Sequence, residues 1–290
     1  MSWRTVVISS NSKLDYQMGF MVVRNVEIVK VHIDEIETLL IESTAVSLTV
    51  ALLSELTKKK VKVIFCDEKR NPSSELISYY GCHDTSAKVR NQIAWTDGIK
   101  EEVWTAIVSE KIRNQAGHLR EKNMPEASML EQYVGEIELG DATNREGHAA
   151  KVYFNALFGK DFTRTEENSI NAALNYGYSL LLSAFNREVV SNGYITQIGL
   201  FHDNMFNPFN FASDLMEPFR PIVDRKVKAL MPEKFDREEK IEMLKILQEE
   251  VTIGGRREYV SNAMKIYTRS VLDALNDKEI VLIKFYSYEL

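Results

Sequence analysis

The sequence has little cysteine and no long apolar run. Cys66 and Cys82 are the only cysteines in 290 residues, which excludes a disulfide framework and is typical of a reducing compartment. No apolar run reaches the roughly 18 residues of a membrane-spanning helix. The opening residues lack the apolar core of a signal peptide. We therefore predict a cytoplasmic protein with no membrane association.

Motifs of several enzyme classes are missing, and positive charge is not in excess. The sequence has no Walker loop, CxxC pair, Rossmann glycine motif or serine or cysteine triad motif. Lys and Arg total 36 against 42 Asp and Glu, a formal charge of −6, whereas nucleic-acid-binding domains are usually basic. Any polyanion must therefore bind at a local basic patch. A charged fraction of 27% beside 44% apolar residues excludes wholesale disorder.

The pattern of apolar residues divides the chain into two parts. Short β-branched or apolar runs separated by turn residues predict strands; these are 5–9, 19–24, 26–31, 38–41 and 60–65, with a hairpin turn at 24–26 and a helix at 47–56. From about residue 89 a 3.6-residue period predicts helices; the clearest are 103–112, 149–157, 170–185 and 238–249, with breaks at 231–233 and 252–255. The predicted fold class is α+β, with a small β-rich N-terminal domain at 1–72, a linker at 73–88 and a larger all-α C-terminal domain at 89–290.

The candidates for chemistry lie in the predicted helical domain. One segment contains Glu146, a second contains His202, and a third contains Asp214 and Glu217. Each has a structural alternative. Glu146 follows Thr143 at the spacing of a capping box, Asp214 and Glu217 can cap and open a helix, and a single histidine is often a satisfied loop or core residue.

Taken together, one imidazole and two or three carboxylates form a hard, mostly oxygen donor set. Such a set favours Mg²⁺ or Mn²⁺. A divalent cation polarises a phosphoryl oxygen and lowers the pKa of a bound hydroxyl, so a phosphodiester is a natural substrate. Gly147, beside Glu146 in a predicted helix, indicates that another group approaches the backbone closely there.

Two further features offer contacts to phosphates or bases. Arg257, Ser261, Lys265 and Arg269 recur every four residues, which predicts a basic stripe on a late helix, and the alternative is a solvated helix face. Residues 175–178 read Asn-Tyr-Gly-Tyr and offer amide and aromatic groups that can stack on bases or bond to phosphates. The alternative for these tyrosines is core packing.

The order and spacing of these segments resemble the CRISPR-associated Cas-one (Cas1) integrase family, and most of all its type II-A branch. The matching segments are the opening 3–8, then 104–116, 145–154, 174–178, 199–202 and 214–221. Any one segment is weak evidence, but the ordered set is specific and spans essentially the whole chain.

The resemblance implies a β-rich N-terminal domain that forms a homodimer and a helical catalytic domain. It implies that two such dimers flank a dimer of the small Cas-two (Cas2) protein, with other type II-A adaptation proteins as partners. The implied substrates are double-stranded DNA, namely a spacer precursor and the CRISPR repeat, and the 3′-hydroxyl of the spacer attacks a repeat border.

The resemblance also implies roles for particular residues. The implied catalytic and metal-binding residues are Glu146, His202 and Glu217; many relatives carry aspartate where this chain has Glu217. The implied auxiliary residues near the site are Asp214, Tyr153, Tyr176 and Arg220. The residues expected to bind DNA are Arg257, Lys265 and Arg269.

Three functions are compatible with these residues. The first is an integrase with a DNA 3′-hydroxyl as nucleophile. The second is a metal-dependent endonuclease acting on branched DNA, with water as nucleophile. The third is a non-catalytic DNA-binding scaffold, which the complete set of Glu146, His202 and Glu217 argues against.

Overall fold

A computed structural model describes residues 4–79 and 82–288 of the chain. It has two compact units, Met1–Gly81 and Cys82–Leu290, and the predicted α+β class is confirmed because strands dominate the first unit and helices the second. Trp3 of the family resemblance, residues 80–81 of the predicted linker and residues 289–290 of the predicted helical domain lie outside the described residues. No described helix is long and apolar enough to span a membrane.

The described residues of the first unit form two four-stranded sheets. Its elements are β1 (Arg4–Ile8), β2 (Ser12–Gln17), β3 (Phe20–Arg24), β4 (Ile28–His32), β5 (Ile36–Ile41), β6 (Val46–Leu48), α1 (Val50–Lys58), β7 (Lys62–Cys66) and β8 (Pro72–Leu76). One sheet has the order β1-β5-β7-β8 and the other β4-β3-β2-β6. Buried side chains such as Leu14, Leu39, Leu52 and Val63 form the core of the unit.

The sequence predicted five of these strands but missed β2, β6 and β8, and β6 overlaps the start of the predicted helix at 47–56. The hairpin turn is confirmed, since β3 ends at Arg24 and β4 begins at Ile28. β2 escaped the pattern because Leu14 and Tyr16 are its only apolar residues. β8 begins at Pro72, the last residue of the predicted N-terminal domain, and continues into the predicted linker. Proline is tolerated there because β8 is an edge strand, which pairs with β7 alone among the described strands.

The predicted linker at 73–88 therefore differs from the structure. Residues up to Leu76 belong to a sheet of the first unit. The helix α2 (Thr85–Ala94) begins inside the other end of that range. The predicted domain boundary after residue 72 therefore falls inside β8.

The second unit is built around a long helix, α3 (Asp97–Glu121), whose buried side chains recur at helical spacing. The other described helices are α4 (Ala127–Gly135), α5 (Arg145–Phe158), α6 (Ser169–Ser191), α7 (Asn210–Leu215), α8 (Arg220–Leu230), α9 (Arg237–Leu244) and α10 (Val260–Asp277). Both α3 and α6 pack against α7, α8 and α10, so these two helices organise the unit.

The sequence predicted an all-helical second unit, but the second unit also contains strands. The described residues include β9 (Glu250–Ile253), β10 (Arg256–Tyr259) and β11 (Tyr286–Ser287), which form a sheet with β9 in the centre. Gly254 and Gly255 both have positive φ, 58° and 74°, and this allows a two-residue hairpin loop. The predicted break at 252–255 is therefore a β-hairpin. Arg257 lies on β10 and not on the following helix.

Gly177 fixes how closely α6 packs against its neighbours. A Cβ atom at this position would lie 2.5 Å from Val223 Cγ1 and 2.7 Å from Met243 Cε. These residues belong to α8 and α9, so the absence of a side chain lets three helices meet.

We predict that Gly177→Ala lowers the free energy of unfolding by about 1–3 kcal/mol, because overpacked cores distort. The matched control is Gly98→Ala on α3, where a Cβ would meet nothing within 4 Å, and this change should raise stability by up to about 1 kcal/mol. Urea unfolding followed by helical circular dichroism measures both. Equal stability of the two variants would contradict the packing argument.

Candidate active site

A polar cleft of about 250 Å³ lies in the second unit. Its walls come from α3, α5, α6 and α8, and from the segments that precede α6 and α7. The ionisable residues that line it are Lys111, Glu146, Arg164, Tyr178, His202, Glu217, Arg220 and Asp224. Glu146, His202 and Glu217, which were singled out from the sequence, therefore line a single cleft.

Lys111 joins two of these residues. Its ammonium group donates to Oε1 of Glu146 and to Oε2 of Glu217. Lys111 lies in the middle of α3, Glu146 in the first turn of α5, and Glu217 at the start of a short 3₁₀ helix. Two carboxylates from distant segments thus converge on one buried cation.

The charges of this cluster support one another. Burial alone would raise the pKa of Glu217, but Arg220 and Lys111 overcome this effect and hold the pKa at about 2. Burial would lower the pKa of Lys111, yet the carboxylates of Glu217 and Glu146 raise it above its ordinary value. Glu217 and Lys111 are therefore both charged at neutral pH.

His202 is held by Asp214, which is fully buried. Its carboxylate accepts from the imidazole Nδ1 of His202 at 2.5 Å, and from the backbone amides of Leu200, Phe201 and His202 at 2.6, 3.2 and 3.1 Å. The hydrogen bond to Asp214 raises the pKa of His202. Because Nδ1 is engaged, Nε2 is the imidazole nitrogen left for another partner.

This loop needs a glycine at its start. A Cβ on Gly199 would lie 2.5 Å from the carbonyl oxygen of His202 and 2.6 Å from Oδ2 of Asp214. Any side chain there would push the loop away from the carboxylate that orders it. Gly199 thus lets one buried aspartate orient the loop and the imidazole.

A second cluster of charges completes the wall of the cleft. Arg220 Nε donates to Glu217 Oε1 at 2.7 Å, and its guanidinium lies 4.7 Å from the centre of the Tyr178 ring. The guanidinium of Arg164 lies 5.3 Å from the same ring. The Tyr178 hydroxyl donates to Asp224, whose pKa burial raises to about 6.

The capping-box alternative for Glu146 is wrong. The residue that caps α5 is Asn144, whose side chain accepts from Gly147 N, and Asp141 accepts from the amides of Arg145 and Glu146. The group that approaches Gly147 is the Asn144 side chain, 2.8 Å from a Cβ built there. The carboxylate of Glu146 is free to reach Lys111.

Asp214 does not cap a helix either. It lies near the end of α7 rather than at its start. Its carboxylate is bonded across to residues 200–202. Glu217 opens the 3₁₀ helix, but its side chain reaches Lys111 and Arg220.

Two predicted auxiliary tyrosines lie outside the cleft lining. Tyr153 is fully buried, and its hydroxyl is 2.8 Å from Nδ1 of His118. Tyr176 packs edge-on against Phe235 with Lys240 near its ring. Tyr178, two residues on, is the tyrosine that lines the cleft, because a half-turn of helix places it on a different face of α6.

The predicted basic stripe is split between two elements and also lies outside the cleft lining. Arg257 is exposed on β10, while Lys265 and Arg269 lie on α10, half-buried and exposed respectively. The apolar side of α10 is as predicted, since Val260, Met264, Tyr267 and Val271 are all buried. The role of the three basic residues in DNA binding stays a prediction.

Sequence reasoning missed Lys111, Arg164 and Asp224 as residues of the cleft, and it included Tyr178 only as part of the segment 175–178. A signal existed for one of them. Lys111 falls in the apolar period of α3 with Val103, Ile107 and Ile112, all of which are buried. A lysine at a buried position needs a partner charge. Nothing in the local sequence identifies Arg164 or Asp224.

The donor set suits a hard divalent cation, although Lys111 holds the two carboxylates here. In the described residues, only Cys82, His83 and Asp84 bring three potential ligand atoms within 4.8 Å of one another. Glu146, His202 and Glu217 therefore lie around the cleft rather than in a closed cluster. The buried partner of His202 Nδ1 is the kind of support that metal-ligating histidines have.

The family comparison matches most of the chain. The model of the family described as CRISPR associated protein Cas1 matches residues 5–261. A protein of Neisseria meningitidis serogroup C, named CRISPR-associated endonuclease Cas1, is 33% identical over 304 aligned positions that cover all of both chains. A Francisella tularensis subsp. novicida protein of the same family name is 23% identical and covers 89% of each chain.

Solved structures share the fold. A casposase bound to integration product has a TM-score of 0.78 at 17% identity and covers 95% of this chain and 91% of its own. A Cas1 protein from Thermotoga maritima has a TM-score of 0.73, with 94% and 97% covered. A Cas6-RT-Cas1–Cas2 complex matches 97% of this chain but only 36% of its own longer chain, with a TM-score of 0.73.

The fold shows which class of protein this is: a β-rich unit is followed by a helical unit that contains a charged cleft. The family match over residues 5–261 and the relative at 33% identity then identify the group. The chain belongs to the Cas1 family of CRISPR-associated proteins.

We predict that Lys111→Met lowers the free energy of unfolding by about 3 kcal/mol, because it leaves a buried carboxylate without one of its partners. Thermal and urea unfolding measure the loss. The double variant Lys111→Met/Glu217→Gln should lose less than the sum of the two single variants. The matched control is Lys122→Met, at the exposed residue that follows the last residue of α3. An equal loss in Lys111→Met and Lys122→Met would contradict the proposed charge network.

Proposed function

We propose that this chain is a metal-dependent DNA integrase of CRISPR adaptation. It joins the 3′-hydroxyl ends of spacer DNA to the borders of the CRISPR repeat by transesterification. Membership of the Cas1 family supports the proposal, as does the fold shared with a casposase bound to integration product. The type II-A assignment rests on the sequence resemblance described above.

One observation carries the proposal: the carboxylates of Glu146 and Glu217 converge on a single buried cation, with His202 in the same cleft. Two carboxylates and an imidazole are suitable ligands for Mg²⁺ or Mn²⁺. A divalent cation bound there would polarise the attacked phosphate and acidify the attacking hydroxyl. Glu146, His202 and Glu217 are the residues that would hold it.

The other residues of the cleft have supporting roles. Asp214 fixes the tautomer and orientation of His202 through Nδ1, which leaves Nε2 as the donor nitrogen. Lys111, Arg164 and Arg220 surround the cleft with positive charge. Such charges attract a phosphodiester and stabilise the negative charge that develops on its oxygens during transfer.

The proposed partners follow from the family. We propose a homodimer formed through the β-rich unit and an assembly of two such dimers on a Cas2 dimer, acting on double-stranded DNA with other type II-A adaptation proteins. The shared fold with the Cas1 part of a Cas6-RT-Cas1–Cas2 complex supports the Cas2 partnership. A partner that shares the DNA contacts is consistent with the formal charge of −6.

The second candidate function is a metal-dependent endonuclease that cuts branched DNA. The named relatives are called endonucleases, and the same residues would serve a water nucleophile. Incubation with Mn²⁺, a short duplex with free 3′ ends and a supercoiled repeat-bearing plasmid separates the functions. Joined products indicate an integrase, nicks alone indicate a nuclease, and bound but unchanged DNA indicates a scaffold.

We predict that Glu217→Gln and His202→Ala each reduce joining by several orders of magnitude. Glu217→Gln removes the negative charge of one proposed ligand, and His202→Ala removes a proposed nitrogen ligand. Metal polarisation contributes several kcal/mol, where ~1.4 kcal/mol corresponds to a tenfold change in rate. Raised Mn²⁺ should partly restore Glu217→Gln. The readout is the rate of joined product at two Mn²⁺ concentrations.

The matched control for these variants is Glu238→Gln, at an exposed position on α9. DNA affinity should stay near the wild-type value in all three variants, and all three should still fold. Glu217→Gln should melt at a lower temperature than the wild type, because Lys111 and Arg220 each lose a charged partner. Full joining activity of either cleft variant in a folded state would contradict the proposed site.

We predict that neutralising Arg257, Lys265 and Arg269 together weakens DNA binding and reduces the salt dependence of the binding constant. Each lost phosphate contact should change the slope by up to about one unit, because fewer counterions are released. Fluorescence anisotropy at several salt concentrations measures both quantities.

The control is a second triple variant with the same loss of charge, in which the exposed residues Lys122, Lys160 and Lys234 are neutralised instead. If the two triple variants bind DNA alike, the predicted stripe is only a solvated surface. A smaller slope in the first variant alone would support a direct phosphate contact.

A further inference from the structure

Three cationic side chains line the proposed active site, and they differ in their partners. Lys111 and Arg220 are each paired with carboxylates of the cleft. Arg164 forms no ion pair with an acidic side chain of the described residues, and its guanidinium donates instead to the side-chain oxygens of Asn171 and Asn175. An amide oxygen carries no net charge, so the positive charge of Arg164 is not neutralised.

The guanidinium of Arg164 is held from several sides. One terminal nitrogen donates to Asn171 and the other to Asn175, the latter at 2.7 Å. The guanidinium carbon lies 5.8 Å from the centre of the Phe154 ring and 5.3 Å from that of the Tyr178 ring. Both rings line the cleft, so the guanidinium packs against the wall of the cleft.

Asn171 is itself fixed by the segment that carries Arg164. It is 2% exposed, and its side-chain nitrogen donates to the backbone carbonyls of Thr163 and Glu166 at 2.8 and 2.9 Å. Its backbone amide donates to the side chain of Asn168, the cap of α6, at 2.8 Å. The arginine is therefore in place before a ligand binds, which lowers the entropy cost of a contact with that ligand.

The remaining donors of Arg164 suit a phosphate. A guanidinium has five N–H groups, and the two amide contacts occupy two of them. Its planar fork matches the geometry of phosphate oxygens. The acid Asp224 also lines the cleft, but it accepts from the Tyr178 hydroxyl and forms no ion pair with Arg164 within the described part of the chain.

We infer that Arg164 anchors a backbone phosphate of the DNA before a divalent ion binds. This inference rests on the proposed function, because it takes the cleft as the place where DNA reacts. Without a divalent ion, the carboxylates of the cleft offset the attraction of Lys111 and Arg220 for a phosphate. No carboxylate offsets the attraction of Arg164 in the same way.

The segment 175–178 then has an indirect role. Its sequence predicts that its amide and aromatic groups contact bases or phosphates. In the structure Asn175 bonds to Arg164, and Tyr178 packs against it. Both are therefore positioning residues, which act on the DNA through the arginine.

The first test measures binding of a repeat-bearing duplex in EDTA, by fluorescence anisotropy at several salt concentrations. Arg164→Gln should weaken binding roughly tenfold, because a charge-assisted contact is lost, and should reduce the salt slope by up to about one unit. Arg164→Lys keeps the charge but not the planar fork, so its salt slope should match that of the wild type. The matched control is Arg113→Gln, an exposed arginine of α3 that is already paired with Glu110, which should bind as the wild type.

A second variant tests the positioning role of Asn175. Asn175→Asp keeps the size of the side chain and its hydrogen bond but places a carboxylate on Arg164, so DNA affinity and the salt slope should fall as in Arg164→Gln. In an Arg164→Gln background the same change should have little further effect. The melting temperature should not fall, because an ion pair replaces a neutral contact, whereas loss of a merely structural contact would lower it. The control for the added charge is Asn123→Asp, at an exposed position after α3.

Three outcomes would overturn the inference. The first is a wild-type chain that binds no DNA in EDTA, the second is equal affinity of Arg164→Gln and Arg113→Gln, and the third is an effect of Asn175→Asp that is the same with and without Arg164. A chain that shows Arg164-dependent binding but neither joins nor cuts DNA with Mn²⁺ supports the phosphate anchor and contradicts the proposed function. A chain that joins DNA, and whose Arg164→Gln variant binds DNA as the wild type, does the reverse. Melting temperatures verify that the variants fold, and Asn175→Asp decides the question if Arg164→Gln does not.

Discussion

The cleft depends on one electrostatic constraint: Lys111 sits between two carboxylates that would otherwise repel each other. Glu146 and Glu217 both accept from its ammonium group, and Arg220 adds a second cation on Glu217. Buried charges of this kind are stable only when each has a partner. The requirement links α3, α5 and the turn before α8, so the same contacts that create the cleft also hold its walls together.

The constraint extends to the histidine through a second buried acid. The carboxylate of Asp214 accepts hydrogen bonds from three backbone amides and from the imidazole of His202. These hydrogen bonds order a loop that has no regular secondary structure. Gly199 makes this possible because nothing on its Cα obstructs the carboxylate. The position of His202 is thus set by a residue that does not line the cleft, and the catalytic proposal depends on Asp214 as much as on the imidazole.

The sequence predicted the type and order of the elements better than their contacts. The change from β-branched runs to a helical period was visible, and so was the group of Glu146, His202 and Glu217. Lys111, by contrast, is not distinguished in the sequence from other residues of its helix. Its role is visible only when its partners, Glu146 on α5 and Glu217 before α8, are known. Tyr176 and Tyr178 look alike in the sequence because both are aromatic residues of one segment, and only the packing of Tyr176 against Phe235 shows that Tyr178 is the one that lines the cleft. Gly254 and Gly255 predict a break between helices but form a hairpin loop between strands, because a glycine pair signals a turn without saying which elements it joins.

The mixed charge of the cleft is compatible with DNA binding by an acidic chain. Lys111 and Arg220 are already paired with carboxylates, so the cleft presents little net positive charge before it binds a ligand. Under the proposed function, Glu146 and Glu217 would bind a divalent ion, and their ion pairs with Lys111 and Arg220 would weaken. The ammonium and guanidinium groups would then be less neutralised and would attract a phosphodiester more strongly. Metal and DNA would therefore favour each other's binding, and a chain with a formal charge of −6 would concentrate its attraction for phosphate at the place where phosphate is to react.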